Sequence, residues 1–186
     1  MRIIGGKFKG KKLNLPYDKN TRPLRDIVKE SIFNLIKHSN NIDINLEGSY
    51  ILDLFSGSGS FGLECLSRGA KKVLFFENYS KAIETLDKNI KSIKENDNSE
   101  IIEKDCFNFF NSEQKLNDKF DIIFIDPPYK EKKINELIIN IIQKKILKLN
   151  GIMIIHRHKK DEIEITSKLK IFENRIYGIS RIYIGY

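Results

Sequence analysis

The sequence predicts an α/β fold: a mostly parallel, seven-stranded sheet with an antiparallel hairpin at its C-terminal edge, preceded by a small N-terminal β-hairpin arm and a helix. Three observations carry this expectation. Five short apolar runs, at 50–54, 72–77, 101–103, 120–125 and 151–156, alternate with helical patterns, as parallel strands joined by crossover helices do. The run Phe120-Asp121-Ile122-Ile123-Phe124-Ile125 is apolar on both alternating faces, which suits a strand covered on both sides. Two β-rich runs near the end, 169–172 and 176–186, are separated only by Glu173-Asn174-Arg175. That gap is too short for a helical crossover, so the runs should pair antiparallel.

The elements follow in order. Gly5-Gly6 and Gly10 among short apolar groups mark the first fifteen residues as a hairpin or arm outside the core. Thr21-Arg22-Pro23 leads into a helix: Thr21 or Asp18 can cap it, Pro23 suits its first turn, and Leu24, Val28, Ile32, Leu35 and Ile36 recur at helical spacing. His38 to Ser49 is a polar linker. Between the second and third strands Ser80 is the expected N-cap of a helix with Ile83, Leu86, Ile90 and Ile93 on one face. A further helix is expected from Glu131 to Leu149, closed by Asn150-Gly151. The chain divides into an arm and helix, 1–45, and a main unit, 46–186.

With 186 residues, 40% of them apolar, the chain can build one full core but not a second large domain. Cys65 and Cys106 make neither a disulfide framework nor a metal-ligand set, and read as small buried side chains in a reducing cytosol. No stretch resembles a signal peptide or is long enough to span a bilayer. A soluble, cytoplasmic, monomeric protein without a metal is expected.

The formal net charge is +8, and its distribution is uneven. Residues 1–40 hold ten Lys or Arg against Asp18, Asp26 and Glu30, which is +7 of the total. A charge excess concentrated in one arm and its helix suits a phosphate-rich partner; a bias of composition would have spread it evenly.

Two motifs carry chemistry. Asp126-Pro127-Pro128-Tyr129 directly follows the fourth apolar run, at the strand end where open α/β sheets place ligands. The two prolines fix two φ angles, remove two donors and keep Asp126 extended, so a carboxylate and unpaired carbonyls face one spot beside the Tyr129 ring. Acceptors next to an aromatic face suit the exocyclic amine of a nucleobase. The second motif, Asp53-Leu54-Phe55-Ser56-Gly57-Ser58-Gly59-Ser60-Phe61-Gly62, follows the first strand and opens a helix, with Gly57, Gly59 and Gly62 in G-x-G-x-x-G spacing. Glycine loops of this kind often seat a pyrophosphate, but Asp53 would repel one, while its carboxylate can hold an ammonium. Glu77 at the second strand end can accept both ribose hydroxyls, and Asp105 at the third can accept from an adenine amine. These acids together describe S-adenosylmethionine.

The sequence resembles the RsmD-type methyltransferases over almost its whole length, through Arg2-Ile3-Ile4-Gly5-Gly6, Lys9-Gly10-Lys11-Lys12-Leu13, Thr21-Arg22-Pro23, Lys29-Glu30-Ser31-Ile32-Phe33-Asn34, the glycine loop, Glu64 to Ala70, the proline box and Arg175-Ile176-Tyr177-Gly178. The resemblance implies a Rossmann-like class I methyltransferase that modifies the N2 amine of one guanine in small-subunit ribosomal RNA, within an assembled or assembling small-subunit particle. It implies catalytic roles for Asp126, Pro127 and Tyr129. The implied cofactor contacts are Asp53, Ser56, Gly57, Gly59, Glu77, Asn78, Asp105, Cys106 and Asp126. The implied RNA contacts are Arg2, Lys7, Lys9, Lys11, Lys12, Arg22, Arg25 and Lys29. His156, Arg157 and His158 read as surface or RNA-contact residues.

Three rival readings exist. A DNA adenine-N6 methyltransferase uses the same box, but normally with an added target-recognition domain. A nicotinamide-dependent oxidoreductase would leave Asp53 and the box without a role. A non-catalytic RNA-binding module would be expected to carry a damaged box or loop, and both are intact.

Overall fold

The computed structural model of the chain describes residues 1–17, 24–161 and 165–186. The expected caps Asp18 and Thr21, Pro23 and the phosphate contact Arg22 lie outside these residues. Seven strands form one sheet: β1 (Tyr50–Leu54), β2 (Lys72–Phe76), β3 (Ser99–Ile102), β4 (Phe120–Ile125), β5 (Leu147–His158), β6 (Ile171–Tyr177) and β7 (Ser180–Gly185). Their order is β3-β2-β1-β4-β5-β7-β6. The first five are parallel, and β7 runs antiparallel between β5 and β6. The chain thus leaves β1 toward β2 on one side, while β4 lies on the other. This reversal opens a crevice at the C-terminal ends of β1 and β4.

Alternation along the strands feeds two apolar layers. Ile51, Val73, Phe75, Ile122, Phe124, Ile152 and Ile154 face one side, with α1 (Asp26–His38), α2 (Ser60–Ser67) and α3 (Ser80–Ile93) packed there. Leu52, Leu54, Leu74, Phe76, Ile123, Ile125, Met153 and Ile155 face the other, under α4 (Cys106–Asn111) and α5 (Ile134–Gln143). Buried on both faces, these strands read as continuous apolar runs because neither face meets water.

Several sequence-based expectations are corrected. The arm is a short hairpin, with an Arg2↔Lys12 bridge and Ile3 N–H donating to Lys11 O (2.9 Å), yet its Ile3 and Leu13 are part of the core. Ser80 begins α3 rather than capping it: Tyr79 is the N-cap, and its carbonyl accepts from the amides of Ala82 (2.9 Å) and Ile83 (3.0 Å). Helix α5 stops at Gln143, where Lys145 turns left-handed (φ 52°), and Asn150-Gly151 lie inside β5. Gly151 serves close approach: a Cβ there would stand 2.8 Å from Phe120 O, beside the register shift between β4 and β5. The edge hairpin turns at Gly178-Ile179, since Tyr177 pairs with Ser180, and Glu173-Asn174-Arg175 lie within β6.

Candidate active site

The two chemical motifs meet at the crevice. A cleft of about 380 Å³ is lined by Asp53, the loop Phe55 to Ser58, Glu77, Asn78 and the box Asp126 to Tyr129, with Leu15 and Leu24 closing the side of the arm. A smaller cleft of about 190 Å³ continues past Phe55, Glu77 and Asn78 to Asp105, Cys106 and Phe107. Phe61 and Phe124 form the floor, stacked with centroids 4.0 Å apart.

Asp53, Glu77 and Asp105 are each held by backbone donors. Asp53, 1% exposed near the end of β1, accepts from Gly62 N–H through Oδ2 (2.9 Å), so its carboxylate occupies the first turn of α2 where a pyrophosphate would otherwise bind. Ser56 is pinned by its hydroxyl, which donates to Asp53 O (2.6 Å), and by its amide, which donates to Phe76 O (3.0 Å). Gly57 N–H donates to Glu77 Oε2 (2.7 Å), tying the loop after β1 to the end of β2. Gly59 turns the chain into α2 at φ 82°, and a Cβ there would meet Leu86 Cδ1 at 2.4 Å; only glycine meets both demands. Asp105 caps α4, accepting from Asn108 N–H through Oδ1 (2.9 Å) and from Asn78 Nδ2 through Oδ2 (3.1 Å). Cys106 follows it and is buried, and burial, with the charge of Asp105, pushes its thiol well above the usual range.

The electrostatics have one sign. No Lys or Arg is among the described residues lining the larger cleft, while Asp53, Glu77 and Asp126 are. Burial, followed by the charges of Asp126 and Glu77, pushes the Asp53 carboxyl up to about 8. Such a site favours a cationic ligand and disfavours a dinucleotide.

The box is gripped from two sides by β5. His156 Nδ1 lies 2.8 Å from Asp126 Oδ1. Arg157 donates to Pro128 O (3.3 Å), Tyr129 O (3.0 Å) and Glu131 O (3.0 Å), and is backed by Asp161. Pro128 O also accepts from Glu131 N–H (2.9 Å). Two corrections follow. The carbonyls of Pro128 and Tyr129 are engaged rather than unpaired, and His156 and Arg157, 2% and 1% exposed, are buried supports rather than surface residues. His158 is half-buried, its ring 4.9 Å from that of Tyr129. A signal for the first two was present: they continue the buried apolar run 151–155 to the level of Asp126.

The basic residues separate into groups. Lys9, Lys11, Lys12 and Arg25 are exposed. Arg2 pairs with Asp26 (3.4 Å), and Lys7 pairs with the buried Glu95 (2.5 Å). Lys29 is a correction: wholly buried, it donates to Arg2 O (2.6 Å) and faces Glu64 Oε2 (3.4 Å), which also accepts from Ile4 N–H (2.8 Å). Burial lowers its pKa, and Glu64 opposes that shift. Lys29 anchors the arm to α2 and presents no charge to a phosphate. Its place in the helical stripe with Phe33 and Ile36 was the sequence signal for this.

The full chain, residues 1–186, matches the family model described as "Conserved hypothetical protein 95". A Haemophilus influenzae protein, "Ribosomal RNA small subunit methyltransferase D", is 31% identical over 180 residues, covering 96% of this chain and 90% of its own. A protein of the same name from Buchnera aphidicola subsp. Acyrthosiphon pisum is 32% identical over 182 residues, covering 98% and 91%. A solved Haemophilus influenzae structure, provisionally described as a methylase, is 31% identical with a TM-score of 0.77, covering 100% of this chain and 97% of that one. An Escherichia coli structure, provisionally described as a methyltransferase, superposes with a TM-score of 0.83 at 24% identity, covering 100% and 96%, and speaks for the fold. Sheet order, switch-point cleft and these likenesses define a methyltransferase of Rossmann-like fold. The chain belongs to the conserved hypothetical protein 95 family, that of ribosomal RNA small subunit methyltransferase D.

Proposed function

We propose that this protein transfers a methyl group from S-adenosylmethionine to the exocyclic N2 amine of a guanine in small-subunit ribosomal RNA. The observation that carries the reading is the acid-lined cleft in which the Asp126 box stands beside Asp53, Glu77 and the glycine loop. Family membership supports ribosomal RNA methylation as the activity. The donor set fits the cofactor: Asp53 for its ammonium, Glu77 for the ribose hydroxyls, and Asn78, Asp105 and Cys106 around the adenine, with Ser56, Gly57 and Gly59 shaping the loop. When bound, S-adenosylmethionine supplies an electrophilic methyl group on a sulfonium.

The chain's own residues do the rest. A guanine N2 amine is conjugated with its ring, so Asp126 and the Pro127 carbonyl accept its hydrogens, favour pyramidal geometry and stabilise the positive charge that develops on nitrogen. Asp126 would also take up the proton that the amine gives up once methylated. Tyr129 stacks on the base, which must leave its helix to arrive. The arm residues Arg2, Lys7, Lys9, Lys11 and Lys12, with Arg25 and Arg22, serve the phosphates; Arg22 lies outside the described residues. A small-subunit particle in the cytoplasm is the proposed substrate, taken up by a monomer.

Radiolabelled methyl transfer tests the reading. Small-subunit RNA or particles from a strain lacking the modification should become labelled as N2-methylguanosine, while large-subunit RNA and duplex DNA stay unlabelled. Preferential labelling of DNA adenine would support the adenine-N6 alternative and overturn the guanine assignment.

A further inference from the structure

His156 is a buried titratable side chain that touches the Asp126 carboxylate, and the proposed reaction leaves its role open. The β4–β5 ladder ends at Ile125↔Ile155, so the next position on each strand sets Asp126 beside His156, on the sheet face of Ile154. One ring nitrogen, Nδ1, is 2.8 Å from Asp126 Oδ1, and the other, Nε2, is 2.8 Å from Ser180 Oγ. A carboxylate accepts only, so Nδ1 carries a proton; in the neutral ring Nε2 then accepts from the Ser180 hydroxyl. Ser180 is itself buried and opens β7, the strand laid antiparallel against β5. The line Ser180–His156–Asp126 therefore runs from the edge hairpin into the cleft, each member oriented by the one behind it.

We infer that His156, held in one tautomer by Ser180, is a positioning residue for methyl transfer: by donating Nδ1–H to Oδ1 it fixes the rotamer of Asp126 and holds the carboxylate in place as an acceptor for the target amine. The physical need is plain. The Asp126 side chain is 13% exposed and shares its cleft with two further acids, so without this donor it would rotate toward solvent, and that rotation removes the acceptor. The ring also meets the Tyr129 ring edge-on, with centroids 6.2 Å apart.

This inference rests on the methyltransferase reading of the cleft. The full chain is tested as His156→Phe, His156→Asn and Ser180→Ala, measuring single-turnover methyl transfer to undermethylated small-subunit RNA, cofactor and RNA affinities, and melting temperature. His156→Phe should slow transfer about 100-fold while both affinities stay within about threefold, because the bond acts at the reacting amine. His156→Asn, whose amide can donate near the Nδ1 position, should recover about tenfold of that loss, and Ser180→Ala should slow transfer about fivefold. Wild-type rate in His156→Phe, or His156→Asn no faster than His156→Phe, overturns the inference. If His156→Phe does not fold, folded Ser180→Ala at wild-type rate overturns it. A wild-type protein that methylates no ribosomal RNA overturns the underlying reading instead.

Discussion

Replacing Asp53 with asparagine should stabilise the free protein, and increasingly so as pH rises. The side chain is 1% exposed, and its carboxyl is pushed from 3.8 up to about 8, by burial first and by Asp126 and Glu77 after it. Between those values the folded protein holds a proton that the unfolded chain has released. Asp53 therefore favours folding fully below about pH 4, and that contribution is lost as pH rises through about 8. The span from 3.8 to about 8, at about 1.36 kcal/mol per pH unit, sets a ceiling near 6 kcal/mol, and relaxation around a buried charge reduces the realised cost to about 2–3 kcal/mol. Asparagine keeps an acceptor for Gly62 N–H and never ionises. Melting both proteins from pH 4 to 9 reads this group together with its coupling to Asp126 and Glu77, because groups not coupled to it cancel in the difference. The variant should equal wild type near pH 4 and exceed it by roughly 4–12 °C above pH 8. A difference that stays flat across this range would refute the account of the acid cluster.

The same residue should couple cofactor binding to protons: near pH 7, calorimetry in buffers of differing ionisation heat should show release of about one proton on binding S-adenosylmethionine, and none in Asp53→Asn. Glu77→Ala should weaken the cofactor by about 1.5–3 kcal/mol, the range for hydrogen bonds to a charged group, and unchanged affinity by calorimetry would remove Glu77 from the ribose site. Asp126→Ala should lower kcat by orders of magnitude with cofactor affinity within a few-fold; near wild-type turnover would end its proposed role. Changing Lys9, Lys11, Lys12 and Arg25 together to Gln should flatten the salt dependence of RNA binding by roughly one unit of slope for each phosphate left unneutralised. Lys29→Met should leave that slope alone and instead destabilise the fold by about 2 kcal/mol, because it leaves Arg2 O without its buried donor and removes one of the two cations at Glu64, which keeps Arg68 (2.8 Å).

The sequence alone determined the parallel strands, the antiparallel edge hairpin and the two motifs at strand ends. Those features are local: apolar run length, the left-handed turn at Gly59 and the double proline act within a few residues of themselves, whatever the rest of the chain does. Boundaries were less legible where a distant strand decided them. Gly151 reads as a helix stop until Phe120 O is seen beside it, and Ser80 reads as a cap until the Tyr79 carbonyl is seen to take the first-turn amides of Ala82 and Ile83. Tertiary structure also decided what each polar side chain does. Lys29 sits in a basic run and reads as a phosphate ligand, but the helical phase of α1 turns it inward to Glu64. His156 and Arg157 look like a charged strand end, yet pairing of β5 with β4 carries them under the box. A residue's charge is written in its own chemistry, whereas its partner is set by packing between elements distant in the chain, and only folding brings those into register.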